Sequence, residues 1–293
     1  FIFGSKFIEI SQKFFSSKVR QYTPANHQVK NGTPSMGGLF IILVSIITIF
    51  LWANLYSPEM WIILLALILF GALGFIDDWN KIFYKKGITE RVKFFWQLFI
   101  SGLLVFLWLY FLNPSTKICL PFLKNINPDF GIFIILWAMF VIVGSSNAVN
   151  LTDGLDGLAI GSLILNFAIF SIISYLAGHF TFANYLNIPF AGTSELAVVS
   201  ATLVGSSLGF LWYNSYPAQI FMGDVGAFFL GAYLASSFIA ARCELLLVIA
   251  GMVFVVHTEP KGLLVRMQSP TFPARARISR NDEAVMRRSS ERT

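Results

Sequence analysis

Long apolar runs, broken by short polar stretches, dominate the chain. They lie at about 38–56, 60–76, 94–112, 130–144, 158–177, 196–212, 226–241 and 245–256. Runs near 18 residues match the roughly 30 Å of hydrocarbon that a helix must cross. The pattern therefore predicts an all-α, polytopic bundle with about eight full transmembrane spans. Phe1 to Ile10 reads as the last turns of a further apolar helix rather than a cleavable signal peptide.

Composition excludes a soluble globule. Of 293 residues, 56% are hydrophobic and 12% charged, about half the charged share of a water-soluble domain. The formal net charge of +6 does not point to nucleic acid, because Lys and Arg fall in loops and a tail without aromatic stacking platforms. Attraction to a membrane surface explains them better. Cys119 and Cys243 fit no metal-ligand spacing and are too few for a disulfide framework.

Charge also orients the spans. Lys13, Lys18, Arg20 and Lys30 precede the first full span, and Lys81, Lys85, Lys86, Arg91 and Lys93 fill the second loop, while the intervening loops carry only Lys117, Lys124 and Arg242. The Lys-rich loops are expected on the cytosolic side. The stretches 147–157 and 213–225 then open on that same face. Five of the seven aspartates (Asp77, Asp78, Asp153, Asp156 and Asp224) lie in or beside these loops, and only Asp129 and Asp282 do not. Carboxylates at the edge of a membrane are costly unless they serve a cavity or a partner, so this gathering points to a site.

Each polar stretch carries its own chemistry. Asp77 and Asp78 end a span in Phe-Ile-Asp-Asp-Trp-Asn-Lys. Adjacent helical residues point about 100° apart, so the two acids must divide their labour. Asp77, Lys81 and Lys85 share one helical face at i, i+4 spacing, which allows simple ion pairing between neighbours. Asn147, Asn150, Asp153 and Asp156 recur every third residue and would form one polar stripe if helical, with Gly154 and Gly157 allowing close approach; a turn is the plainer alternative. Asp224, between Gly223 and Gly226 before another span, suits a helix cap or an oxygen ligand for a hard cation. Before the first full span, 27–38 combines Lys30, Thr33, Ser35 and a Gly pair, a set able to hold phosphate oxygens. His27 has the residue type of a surface position, and His179 and His257 receive no role. Gly205 and Gly209 form a GxxxG pair expected to pack helices.

These four stretches, in this order, resemble the polyprenyl-phosphate N-acetylhexosamine-1-phosphate transferase superfamily, over about residues 1–256. The Gly-Thr-Pro-Ser-Met-Gly-Gly element at 32–38 and the Asn-Leu-Thr-Asp-Gly-Leu-Asp-Gly element at 150–157 favour its phospho-N-acetylmuramoyl-pentapeptide transferase family over relatives using UDP-GlcNAc. The resemblance implies Asp77, Asp78 and Lys81 as catalytic residues and Asp224 as the ligand of Mg²⁺. It implies Lys30, Ser35, Lys85, Lys93, Asn147, Asn150, Asp153 and Asp156 as substrate-binding, with Ser35 standing where the family usually has threonine. The implied reaction moves phospho-MurNAc-pentapeptide from UDP-MurNAc-pentapeptide to undecaprenyl phosphate, giving lipid I and UMP for peptidoglycan, at the cytosolic face of the bacterial cytoplasmic membrane. Lipid bilayer is the surrounding partner, nucleic acid is not one, and a homodimer is compatible with the resemblance.

The chain also departs from that pattern. The family has ten spans and a histidine cluster near its C-terminus; here an N-terminally truncated transferase region, 1–257, is followed at 258–293 by a basic, Ser-, Arg- and Pro-rich tail whose composition fits disorder. A frameshifted or fragmentary gene product is the expectation, which resequencing tests: an in-frame tail with no better alternative frame counts against it. Competing classes are an inactive remnant and a carboxylate-lined cation transporter. A transporter would place its acids near the bilayer midplane, whereas these sit at span ends.

Overall fold

The structure is a computed structural model that describes residues 3–15, 33–118, 127–186, 188, 190 and 192–247. Helix follows helix in it: α1 (Gly4–Phe14), α2 (Gly38–Trp52), α3 (Pro58–Phe83), α4 (Glu90–Leu112), α5 (Ile134–Thr152), α6 (Leu158–Gly178), the short α7 (Phe180–Leu186), α8 (Glu195–Asn214) and α9 (Gly223–Ala240). Six of these, α3 to α6, α8 and α9, are long and apolar enough to cross a membrane, and α2 is a shorter apolar helix of 15 residues. Together they coincide with seven of the eight apolar runs, six of them long enough to span. The eighth run, 245–256, lies outside the described residues from 248 onward, as do Lys30 and the tail.

Helix ends follow local chemistry. Pro58 opens α3 after the extended Ser57, where its missing N–H costs nothing. Asn113 closes α4 in the left-handed region, with φ 41°, a conformation asparagine tolerates. At the same end of the bundle, Asp129 accepts hydrogen bonds from the Thr116 hydroxyl and the Gly131 N–H. These donors hold its carboxyl below the usual carboxylate range. One of the two aspartates outside the clustered loops thus has a local structural role.

The bundle is organised around α9, in which every residue from Val225 to Ile239 is buried. Its most extensive neighbours are α3 and α5, while α6 pairs with α8. Large apolar side chains on the outer helices face outward instead, among them Phe106, Phe140 and Leu165, as expected where lipid is the solvent. Hydroxyls bridge helices inside: Ser45 meets Ser206 at 3.0 Å, and Ser200 meets Tyr233 at 2.6 Å, whose hydroxyl also donates to the Leu196 carbonyl at 3.1 Å. Such bonds satisfy polar atoms that lipid cannot.

Close approach of α3 and α9 depends on Gly74. A Cβ there would collide with the Asp224 carbonyl and stand 2.7 Å from the Val225 Cα. The GxxxG pair behaves otherwise. At Gly205 no atom lies within 4 Å of a Cβ position, and both glycines line a groove of about 530 Å³ between α2 and α8. Among the described residues no neighbouring helix packs against Gly205, although Ser45 of α2 reaches Ser206 beside it.

Successive spans run in opposite directions, so the C-terminal ends of α3, α5 and α8 meet the N-terminal ends of α4, α6 and α9 at one end of the bundle. Replacing Gly74 by valine is expected to destabilise the fold by about 3 kcal/mol or more, since backbone cannot yield as a side chain can. Thermal unfolding in detergent checks this, and an unchanged midpoint counts against the packing described.

Candidate active site

The polar end is built on α3. The apolar run ends at Ile76, yet the helix continues to Phe83 and carries Asp77, Asp78 and Lys81 within it. Asp77 is fully buried and Asp78 nearly so. A buried carboxylate persists only with partners, and Asp77 has several. Its Oδ1 accepts the Ile88 N–H at 2.7 Å, because the 84–89 loop folds back over it. Its Oδ2 lies 2.7 Å from Lys81 Nζ and 2.9 Å from Lys93 Nζ.

Lys93 belongs to the first turns of α4 and is buried rather than displayed in a loop. Its ammonium also reaches Asp224 Oδ2 at 3.0 Å and stands 5.5 Å from the centre of the Phe228 ring. Lys81 reaches Asp224 Oδ2 at 3.0 Å and Asp78 Oδ1 at 3.6 Å. Two lysines and three aspartates from α3, α4 and α9 thus form one ion cluster.

The two adjacent acids do divide their work. Asp78 turns toward the start of α9, where its Oδ2 accepts the Val225 N–H at 3.2 Å. It caps that helix from outside, favoured by the positive end of the helix dipole. Asp224 therefore does not cap, and its side chain is given to the lysines. Gly223 makes the arrangement possible. Its φ is +76°, and a Cβ there would lie 2.5 Å from Asp78 Oδ2. The Gly223 N–H also favours the charged form of Asp153. Asp153 is half-buried as a residue, but its carboxyl is enclosed by protein atoms. Desolvation pushes that carboxyl well above the usual range, against the Gly223 N–H and with the charges of Asp224, Asp78 and Asp156.

The third-residue stripe is only partly helical. Asn147 and Asn150 lie on α5, which ends at Thr152, and the chain then turns through Asp153 and Asp156. Asn147 Nδ2 donates to Gln97 Oε1 at 2.7 Å and to the Val143 carbonyl at 2.8 Å, while Gln97 Nε2 returns a longer bond of 3.4 Å to Asn147 Oδ1. Asp156 Oδ2 accepts the Ala218 N–H at 3.2 Å. Asn214, at the end of α8, accepts the Gly157 N–H at 3.0 Å and donates to the Ile220 carbonyl at 2.8 Å. These bonds lock the 153–157 turn to the 215–222 loop.

The first stretch joins the same loop through its backbone. Phe221 N–H donates to the Pro34 carbonyl, and Gly37 and Gly38 donate to the carbonyls of Phe221 and Met222, all within 2.9 Å. Ser35 Oγ consequently lies beside Gly223, 3.2 Å from where a Cβ would stand. Lys85 is exposed and outside the ion cluster among the described residues. The sequence patterns do not single out Gln97 or Asn214. An amide inside the 94–112 run was the available signal for Gln97, since polar groups in spans need partners.

One carboxylate oxygen from each of Asp77, Asp78 and Asp224 lies within 4.8 Å of the others. Three converging hard oxygens suit a divalent cation such as Mg²⁺. Residues 60–242, which hold this cluster, match the model of glycosyl transferase family 4. Residues 30–42 match signature 1 of phospho-N-acetylmuramoyl-pentapeptide-transferase. A protein of that name from Citrifermentans bemidjiense is 47% identical over 243 residues, covering 82% of this chain and 68% of its own. The chain belongs to the phospho-N-acetylmuramoyl-pentapeptide transferase family. It is a multi-pass membrane transferase of peptidoglycan synthesis.

Lys93→Met is expected to destabilise the fold by on the order of 3 kcal/mol, because a buried charge pair loses one member. Lys85→Ala should stay within about 0.5 kcal/mol, as for other exposed positions. Unfolding midpoints of the two variants in detergent check the contrast, and equal effects would contradict the geometry.

Proposed function

We propose that this chain transfers phospho-MurNAc-pentapeptide from UDP-MurNAc-pentapeptide to undecaprenyl phosphate, releasing UMP and forming lipid I at the cytosolic face of the bacterial cytoplasmic membrane. The convergence of Asp77, Asp78 and Asp224 with Lys81 and Lys93 carries this reading. Phosphoryl transfer needs little covalent help from a protein; it needs oxygens held in line and charge neutralised.

Asp224 would be the principal ligand of Mg²⁺, with Asp77 and Asp78 in reach; the bound ion supplies charge neutralisation on the diphosphate. Lys81, with 45% of its side chain exposed, is available to grip diphosphate oxygens. Asp77 is already engaged at both oxygens, by Ile88 and by the lysines, so it positions those cations. Asp78 has its Oδ2 on α9, while the nearest lysine contact of its Oδ1 is the long 3.6 Å one to Lys81. That oxygen suits accepting a proton from the lipid phosphate or orienting it. The phosphate oxygen then attacks the sugar-linked phosphorus and UMP leaves.

Ser35, Asn150, Asp153 and Asp156 border the same end of the bundle and form the substrate-binding set, together with the exposed Lys85; Lys30, which lies outside the described residues, joins the set on its sequence motif. Asn147 contributes by fixing α5 against Gln97.

Purified chain given UDP-MurNAc-pentapeptide, a polyprenyl phosphate and Mg²⁺ should release UMP. No release would refute the proposal, and equal turnover with UDP-GlcNAc would shift it to the related GlcNAc-1-phosphate transferases. Asp224→Ala should lower turnover by roughly 10²-fold or more, as expected on losing a key electrostatic group. Unchanged turnover and Mg²⁺ dependence in that variant would remove Asp224 from the metal role.

A further inference from the structure

The Lys81 ammonium touches an oxygen of all three aspartates: 2.7 Å to Asp77, 3.0 Å to Asp224 and 3.6 Å to Asp78. It therefore stands among the same three carboxylates whose spacing suits a divalent cation. Lys93 binds two of the same oxygens, Asp77 Oδ2 and Asp224 Oδ2. Two ammoniums share oxygens that a divalent ion would also need.

The two lysines differ in freedom. The Lys93 side chain is only 8% exposed and rests against Phe228 in the bundle interior. Lys81 is 45% exposed and sits in the last turn of α3, at the edge of the cluster. Formal charge decides which must yield. Three carboxylates and two ammoniums leave one net negative charge; a divalent ion added to that set leaves one net positive charge. If Lys81 withdraws as the ion enters, the remaining set is neutral. Uncompensated charge in a site poor in water is penalised heavily, so the neutral set is favoured.

We infer that Lys81 is an exchangeable internal cation: its ammonium occupies the three-carboxylate seat until a divalent ion enters, and is then released toward the bundle end. This rests on the proposed transferase reading and deepens it. Entry of the ion and presentation of a mobile positive charge to the diphosphate become one event. Lys93 stays in place throughout and keeps α3, α4 and α9 together.

Reductive methylation of the purified chain, read residue by residue by mass spectrometry, tests the exchange without any turnover. Mg²⁺ should raise the methylation rate of Lys81 severalfold while Lys93 stays protected, and Asp224→Ala should abolish the increase. In parallel, Mn²⁺ binding followed by electron paramagnetic resonance should tighten about tenfold in Lys81→Gln, where an internal competitor is gone, and not in Lys81→Arg. If Mn²⁺ binds and UMP is released but Lys81 methylation does not change with the ion, the exchange is refuted and the transferase reading stands. If the parent chain neither binds Mn²⁺ nor releases UMP, both fall.

Discussion

Pairing of buried carboxylates with buried ammoniums is the constraint on which the polar end depends. Asp77 and Asp224 come from helices far apart in sequence, and Lys93 holds one oxygen of each. Without a cation between them, two acids in a low-dielectric setting would repel and would lose their hydration for nothing. With it, α3, α4 and α9 converge, and the rest of the site is assembled on their ends.

Much of the remaining architecture serves that convergence. The backbone of α9 approaches α3 because Gly74 has no side chain, and the first turn of α9 is capped by Asp78 instead of by its own residues. Asn214 and Asp156 tie the turn after α5 to the loop before α9, while 34–38 pairs with 221–222 through main-chain bonds. All four polar stretches therefore meet through hydrogen bonds that shield backbone groups from lipid. A transferase that handles one polar and one lipid-borne substrate needs such a rigid, charged platform at the end of an apolar bundle.

Local rules carried the sequence far, and they failed where a partner lies across the bundle. Asp224 suits a helix cap or an oxygen ligand when only its neighbours are considered; the orientation of α9 against α3 gives the capping to Asp78 and turns Asp224 to the lysines. Lys93 reads as one more basic residue of a loop, yet it is buried, since its partner Asp224 lies 131 positions away. The stripe from Asn147 to Asp156 reads as one helical face, but α5 stops at Thr152 and the last two acids face other partners.

By itself the sequence determined the solvent, the fold class and the gathering of the acids at one end of the bundle. Apolar runs of span length admit only a helical bundle in lipid, and acids gathered at the ends of those runs mark one functional end. Family resemblance rested on the same local stretches. Tertiary structure alone decided which acid caps and which pairs with the lysines, that Lys93 is interior while Lys81 is at the edge, that Gln97 holds Asn147, and that the GxxxG pair borders a groove. Each of these is a contact between distant segments, set by how close two helix backbones come, and no local spacing encodes that distance.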